Sequence, residues 1–224
     1  MSHDDFDFEP IPGLPAKPPP GEAILWQGKP DWWGLALRVF HVRKVAVYFG
    51  ILVAWQGLTA LWDGEGPVAA VLAMAWVLPI ALAGLGILAS LAALYARTTI
   101  YTITSKRVVL RFGIALPMSV NFPFALVERA ALRDCADGTG DIPLSMKGPD
   151  RIAHLVLWPF ARPGRYRNPE PMLRALPEAR EVAGLLATAL KAELGEGHLH
   201  ALAEAPRGRH EADASAPDLA VAAR

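Results

Sequence analysis

The side chains here with chemistry to offer are six histidines, one cysteine and a cluster of aspartates. A helical zinc site needs two histidines four residues apart around a glutamate. His3, His41, His154, His198, His200 and His210 show no such spacing. His198 and His200 alternate in a polar segment, which is the pattern of a loose surface pair. His154 adjoins Leu155 and Val156 on an expected strand. Zinc needs three or four donors, and with no second ligand type nearby His154 reads as a satisfied barrel residue. Cys135 stands two residues from Arg133. A neighbouring cation lowers a thiol's pKa, but no histidine is placed to act as its base. Asp134, Asp137 and Asp141 crowd one loop without the ordered ligand periodicity of a calcium site, so they read as a solvated acidic loop. Gly113, Gly138 and Gly140 do not fit a phosphate-binding loop. The sequence therefore predicts no catalytic residues, no metal site and no cofactor.

The elements that would carry these residues are set by two uncharged apolar runs, 45–62 and 67–96, joined by Asp63-Gly64-Glu65-Gly66. About 20 apolar residues cross a hydrocarbon core of roughly 30 Å. Inside that core each peptide group must bond within its own segment, so both runs read as membrane helices. The second run makes roughly 45 Å of helix at 1.5 Å per residue. It must tilt, kink or emerge, and Pro79 removes an amide donor inside it. Arg38, Arg43 and Lys44 precede the hairpin, and Arg97, Lys106 and Arg107 follow it, whereas the turn carries only acids. Basic flanks face the cytoplasm, so both termini are expected there, with these six residues as candidate membrane-surface cations. Residues 1–9 are acidic and not apolar, so the first span, not a cleaved signal, is expected to direct the chain to the membrane. One cysteine gives no disulfide framework and suits a reducing compartment.

Two intramembrane features invite partners. Gln56 lies mid-span, where a buried amide needs a hydrogen bond. An interhelical bond within the hairpin, or a contact to a partner subunit or pigment, could supply it. Ala83, Gly86, Ser90 and Ala93 recur at spacings of three, four and three. Such a small-residue face admits another helix closely, whether the first span, a second copy or a client protein.

Outside the spans, residues 1–20 are acidic and then proline-rich, an expected disordered leader. Residues 21–44 form a juxtamembrane segment, with Trp32 and Trp33 suited to the headgroup layer and 35–41 to an interfacial helix. From 97 the pattern turns to strands. Residues 98–104 and 107–112 alternate as a hairpin with one buried face, around a Ser105-Lys106 turn. Further strands are expected at 118–122, 125–132, 142–147 and 152–158. A helix follows from Pro177 to about Leu194, with Val182, Leu185, Leu186, Ala189 and Leu190 as its apolar stripe. The fold class is thus an α+β membrane protein: a two-helix transmembrane hairpin, then a small antiparallel β-barrel or sandwich over 97–194, capped by a C-terminal helix. Residues 195–224 read as a disordered tail.

Three stretches together resemble a known group. Gly21-Glu22-Ala23-Ile24-Leu25-Trp26-Gln27-Gly28-Lys29-Pro30 stands before the apolar hairpin, which leads into Tyr101-Thr102-Ile103-Thr104-Ser105-Lys106-Arg107-Val108-Val109. This resembles bacterial membrane proteins with a pleckstrin-homology-like domain, the YdbS-like group. Within it the chain resembles the photosynthetic complex assembly proteins of purple bacteria, the PuhB type, on further phrases. These are Pro12-Gly13-Leu14-Pro15, Ala115-Leu116-Pro117-Met118, Gly140-Asp141-Ile142-Pro143-Leu144 and His154-Leu155-Val156-Leu157-Trp158-Pro159. The likeness spans about 11–194. It implies a pleckstrin-homology-like fold and a non-enzymatic factor assisting assembly of the reaction centre and core light-harvesting complex. Reaction-centre or core antenna polypeptides would be the partners, with the bilayer, without nucleic acid, and with a homo-oligomer open. The resemblance supplies no catalytic residues. The alternative is a general membrane-anchored lipid- or protein-binding module without a photosynthetic role.

Overall fold

A computed structural model describes residues 11–147, 153–194 and 203–204. Strand β1 (Ile24–Gly28) and helix α1 (Trp32–Arg38) precede the long helices α2 (Val42–Trp62) and α3 (Pro67–Thr98). Strands β2 (Ile100–Thr104), β3 (Arg107–Phe112) and β4 (Met118–Pro123) follow, then β5 (Val127–Asp134) and β6 (Gly140–Met146). The one-turn helix α4 (His154–Leu157), strand β7 (Met172–Leu176), helix α5 (Ala179–Leu194) and the two-residue strand β8 (Ala203–Glu204) complete the described chain.

The strands form two four-stranded sheets, ordered β1-β2-β3-β4 and β7-β6-β5-β8. All pairs are antiparallel except β5–β8. The two sheets are separate, so the architecture is a sandwich and not a closed barrel. The inner faces meet in one core that includes Tyr101, Ile103, Val108, Leu110, Ile142, Leu144 and Leu173. Helix α5 closes it with Val182, Leu186, Ala189 and Leu190, all buried. That stripe repeats at three and four residues, as an amphipathic helix requires.

Five expectations are corrected. The β2–β3 hairpin is buried on both faces, because chain from the expected leader lies on its outer side. Leu14 is buried, and Pro12 O accepts from Gln27 Nε2 at 2.5 Å. A Cβ on Gly13 would come within 2.6 Å of Ile100 Cγ2, and φ there is +87°, so glycine makes this approach possible. Residues 1–10 lie outside the described residues. Second, the sandwich is not confined to 97–194, because the extended stretch within 21–44 forms β1 and adds an edge strand to β2. Third, α1 begins at Trp32 and not at 35, because Asp31 caps it by accepting from Gly34 N at 2.6 Å. Its Leu35 and Ala36 are fully buried, while Trp32 and Trp33 stay about half exposed. Fourth, the strand expected over 152–158 is the helical turn α4, with residue 152 outside the described part. Strand β7 at Met172–Leu176 stands where the sequence pattern marks no element. Fifth, in the tail Ala203–Glu204 pairs with Ala131 and Leu132; the rest of 195–224 lies outside the described residues.

Helices α2 and α3 are 21 and 32 residues long, and both are apolar enough to cross a membrane. Their apolar side chains point outward: Ile51, Trp55, Leu72, Trp76, Ile80 and Leu82 are all more than half exposed. A soluble helix would bury such a surface.

Candidate functional site

The two helices of the hairpin touch through small residues. A Cβ on Gly57 would come within 2.7 Å of Met74 Sδ, and Phe49 covers Gly84. Ala60, Ala70 and Ala81 are buried in the same contact. The face Ala83-Gly86-Ser90 is exposed instead, with Ala93 partly covered, and nothing lies within 4 Å of a Cβ on Gly86. Of the partners the sequence left open for this face, the first span is therefore ruled out. Gln56 is likewise exposed. Its carbonyl accepts from Thr59 Oγ1 at 3.0 Å, and among the described residues its side-chain amide has no hydrogen-bond partner. The structure does not bring Gln56 into a bond with α3.

The six candidate cations divide. Arg43, Lys44, Arg97 and Lys106 are exposed. Lys106 sits in the β2–β3 turn, about 16 Å of strand from the α3 junction at 3.3 Å per residue. Arg107 forms a two-pronged ion pair with Glu22, Nε to Oε1 at 2.8 Å and Nη2 to Oε2 at 2.7 Å. That geometry holds the Glu22 carboxyl below its ordinary pKa and raises Arg107. Arg38 is not a free surface charge either. Its Nη1 donates to Asp137 Oδ2 at 2.5 Å, its Nη2 donates to Thr139 Oγ1 at 2.7 Å, and Asp141 Oδ1 lies 3.5 Å away. Burial works against this guanidinium, but Asp141 and Asp137 outweigh it and raise its pKa.

Asp141 is the centre of a polar clasp. It is 2 % exposed and accepts from Ala175 N at 2.9 Å. Ala175, with φ +54°, also offers its carbonyl to Asp31 N at 2.7 Å. The clasp thus ties α1, the segment entering the hairpin, to β6 and β7 of the second sheet. The acidic loop expected to be solvated is in part this clasp. Burial, with Asp141 beside it, pushes the Cys135 thiol up to about 11. The lowering anticipated from Arg133 is reversed, so thiolate chemistry is disfavoured there. His154 rests against Tyr166, ring centres 4.9 Å apart. Among the described residues no group of three or more His, Cys, Asp or Glu side chains converges to hold a metal.

A second junction is aromatic. Phe40, at the entry to α2, stacks near Tyr95, in the last turns of α3, with centres 6.0 Å apart. Trp158 meets both edge-on at 5.9 Å. Phe160 continues to Tyr95, Tyr101 and Phe112 at 6.4, 5.8 and 5.4 Å. Edge-to-face pairs of this kind add roughly 0.5–1.5 kcal/mol each beyond area burial. Nothing in the sequence pairs these rings; the local signal at one of them is the apolar run around Trp158-Pro159-Phe160. Hairpin and sandwich are therefore bound by a polar clasp at α1 and an aromatic wedge at α3.

Residues 38–190, which take in the helical hairpin as well as most of the sandwich, match the model of the bacterial PH domain. The chain belongs to the bacterial PH domain family. It is also 44 % identical over 203 residues to an uncharacterized 23.7 kDa protein in the puhA 5′ region of Rhodobacter capsulatus. That alignment covers 88 % of this chain and 92 % of the relative. No solved structure matches the chain.

Proposed function

We propose that this bacterial PH domain protein is a non-enzymatic membrane assembly factor for the photosynthetic reaction centre and its core light-harvesting complex. In this reading α2 and α3 cross the bilayer and both termini face the cytoplasm. Ala83, Gly86 and Ser90 receive a helix of a reaction-centre or antenna polypeptide. The observation that carries the reading is that this face stands open while the hairpin closes through Gly57, Gly84 and their neighbours. Small residues let backbones approach closely, and packing of that kind drives helix association in lipid. The exposed Gln56 amide adds a second lateral contact, because an unpaired amide in hydrocarbon is costly. The relative encoded beside puhA and the PuhB-type resemblance support the photosynthetic branch of the family.

Deleting the gene in its native host tests this. The expected outcome under phototrophic growth is loss of core-complex absorbance while total membrane protein is unchanged. A Gly86→Leu variant should act like the deletion although it still reaches the membrane. Normal absorbance in both strains would leave the general lipid- or protein-binding module as the better account.

A further inference from the structure

Two exposed apolar tips lie outside the hairpin. One is the β3–β4 turn, where Leu116 is 82 % exposed and Met118 40 %. The other is α4, where Leu155 is 85 % exposed, Val156 40 %, and the adjoining Trp158 44 %. Scattered exposed leucines need no explanation, but these two tips share one end of the sandwich. Strand β2 runs away from the end of α3, and its pairing of Ile100 with Arg111 brings β3 back to that end. Phe112, opposite Met118 in the sheet, therefore returns the β3–β4 turn to the α3 junction. Trp158 touches Tyr95 of α3, and Phe160 touches Phe112, so α4 arrives at the same place. Arg97, exposed, follows Tyr95 by two residues at the end of α3.

We propose that Leu116 and the α4 tip, Leu155 with Val156 and Trp158, seat in the interfacial layer of the bilayer that α2 and α3 cross. They would form a third membrane contact that holds the sandwich against the leaflet. This rests on the membrane-spanning reading above. Lipid is the occupant because these tips are continuous with the point where α3 leaves its apolar run. They are also two separate projections and not a groove, which a fluid interface accommodates. Apolar side chains close to an exposed cation such as Arg97 suit an interface containing anionic lipid.

The test uses the full-length protein in equimolar phosphatidylcholine and phosphatidylglycerol vesicles. Nitroxide labels are placed one at a time, in a Cys135→Ser background, through Leu116→Cys, Leu155→Cys, Ile80→Cys and Leu126→Cys. Ile80 is an outward-facing residue of α3, and Leu126 is an exposed leucine at the opposite end of the sandwich. Collision of each label with oxygen and with a water-soluble nickel chelate reports its surroundings. Oxygen should prevail at 80, 116 and 155, and nickel at 126. Nickel prevailing at 116 and 155 while oxygen prevails at 80 would overturn the third contact and leave the spans intact. Nickel prevailing at 80 would overturn the spans, and the third contact with them. Oxygen prevailing at 126 as well would overturn the seating of this one end.

Discussion

The hairpin and the sandwich solve opposite problems with the same residue types. In the hairpin leucines and isoleucines face outward and the small residues Gly57, Ala60, Ala70 and Ala81 face inward. In the sandwich Ile103, Leu110, Ile142 and Leu144 are inside, and so are Arg111, Asp141, Glu170 and Arg174. A soluble core gains by withdrawing apolar area from water, about 25 cal/mol per Å². A helix pair in lipid gains nothing that way and must rely on close packing. The sandwich can bury charge because it brings partners to it: Asp141 receives Ala175 N and faces Arg38, and Arg174 Nη1 donates to Pro159 O at 3.0 Å. No charged residue lies in the hairpin between Val45 and Trp62 or between Pro67 and Ala96. With α2 and α3 in the bilayer, as proposed, the solvent around each half, more than its composition, would decide which side chains may be inside.

The widest break in this comparison should come from Asp141→Ala. It strips Arg38 of a buried counter-charge and leaves Ala175 N without its acceptor. Removing one partner of a buried ion pair costs about 3–5 kcal/mol. For a folded half of this size that is a fall in Tm of roughly 12 °C or more, read by near-ultraviolet dichroism in detergent. A fall of only a degree or two would mean that the clasp between α1 and the second sheet is dispensable. Next is the reciprocal change, Ile80→Arg, which puts into the hairpin what the sandwich tolerates. A central arginine costs roughly 2.5–3.5 kcal/mol for insertion. The variant should lose alkali-resistant membrane association while its sandwich still unfolds at the parent temperature. If it inserted normally, the outward face of α3 would not be meeting lipid.

Legibility from sequence follows the same division. The hairpin was readable to within a few residues at each end, because an uncharged run of this length has few soluble explanations and periodicity is local. So were β2, β3 and α5, whose alternation or helical stripe lies within one segment. What the chain brings together from afar was not readable. Arg38 reads as a membrane-surface cation until Asp137, Thr139 and Asp141 are found beside it, about a hundred residues on. Arg107 reads likewise until Glu22 is found. Strand β7 escaped because Met-Leu-Arg-Ala-Leu has no alternation: all five residues are buried, Arg174 among them. The segment at His154 looked like a strand because Leu-Val-Leu favours one, but its backbone amides bond back to Ala153 and His154. The small-residue face was legible as a pattern, yet only the structure says which helix it does not meet.

A smaller effect sharpens how the sandwich holds its polar interior. The Tyr101 hydroxyl, fully buried, donates to Arg174 O at 3.0 Å and accepts from Arg174 N at 3.2 Å. Burial raises its pKa far above the ordinary phenol range, so it stays a neutral donor and acceptor. Tyr101→Phe keeps the ring contact with Phe160 and leaves both backbone groups of Arg174 unpaired, at a cost of about 1–3 kcal/mol. Chemical denaturation of the variant should show that loss with the slope unchanged. A loss as large as that of Asp141→Ala would mean that the ring itself had moved.

The smallest effect is one of pH, at the edge of the sandwich. Glu22 titrates in the folded protein below its ordinary value of 4.5 because Arg107 bonds its charged form. Its stabilisation is therefore complete above that ordinary value and disappears as pH falls through the lowered folded one. The pair is partly open to solvent, with Arg107 31 % exposed, so screening keeps the effect small. Melting temperatures of the parent and of Glu22→Gln, compared across acid pH, should differ by a constant amount near neutrality and converge in acid. Convergence that instead sets in well above 4.5 would assign the acid sensitivity to another group. Curves that stay apart at every pH would mean that Glu22 holds β1 through its packing and not through its charge.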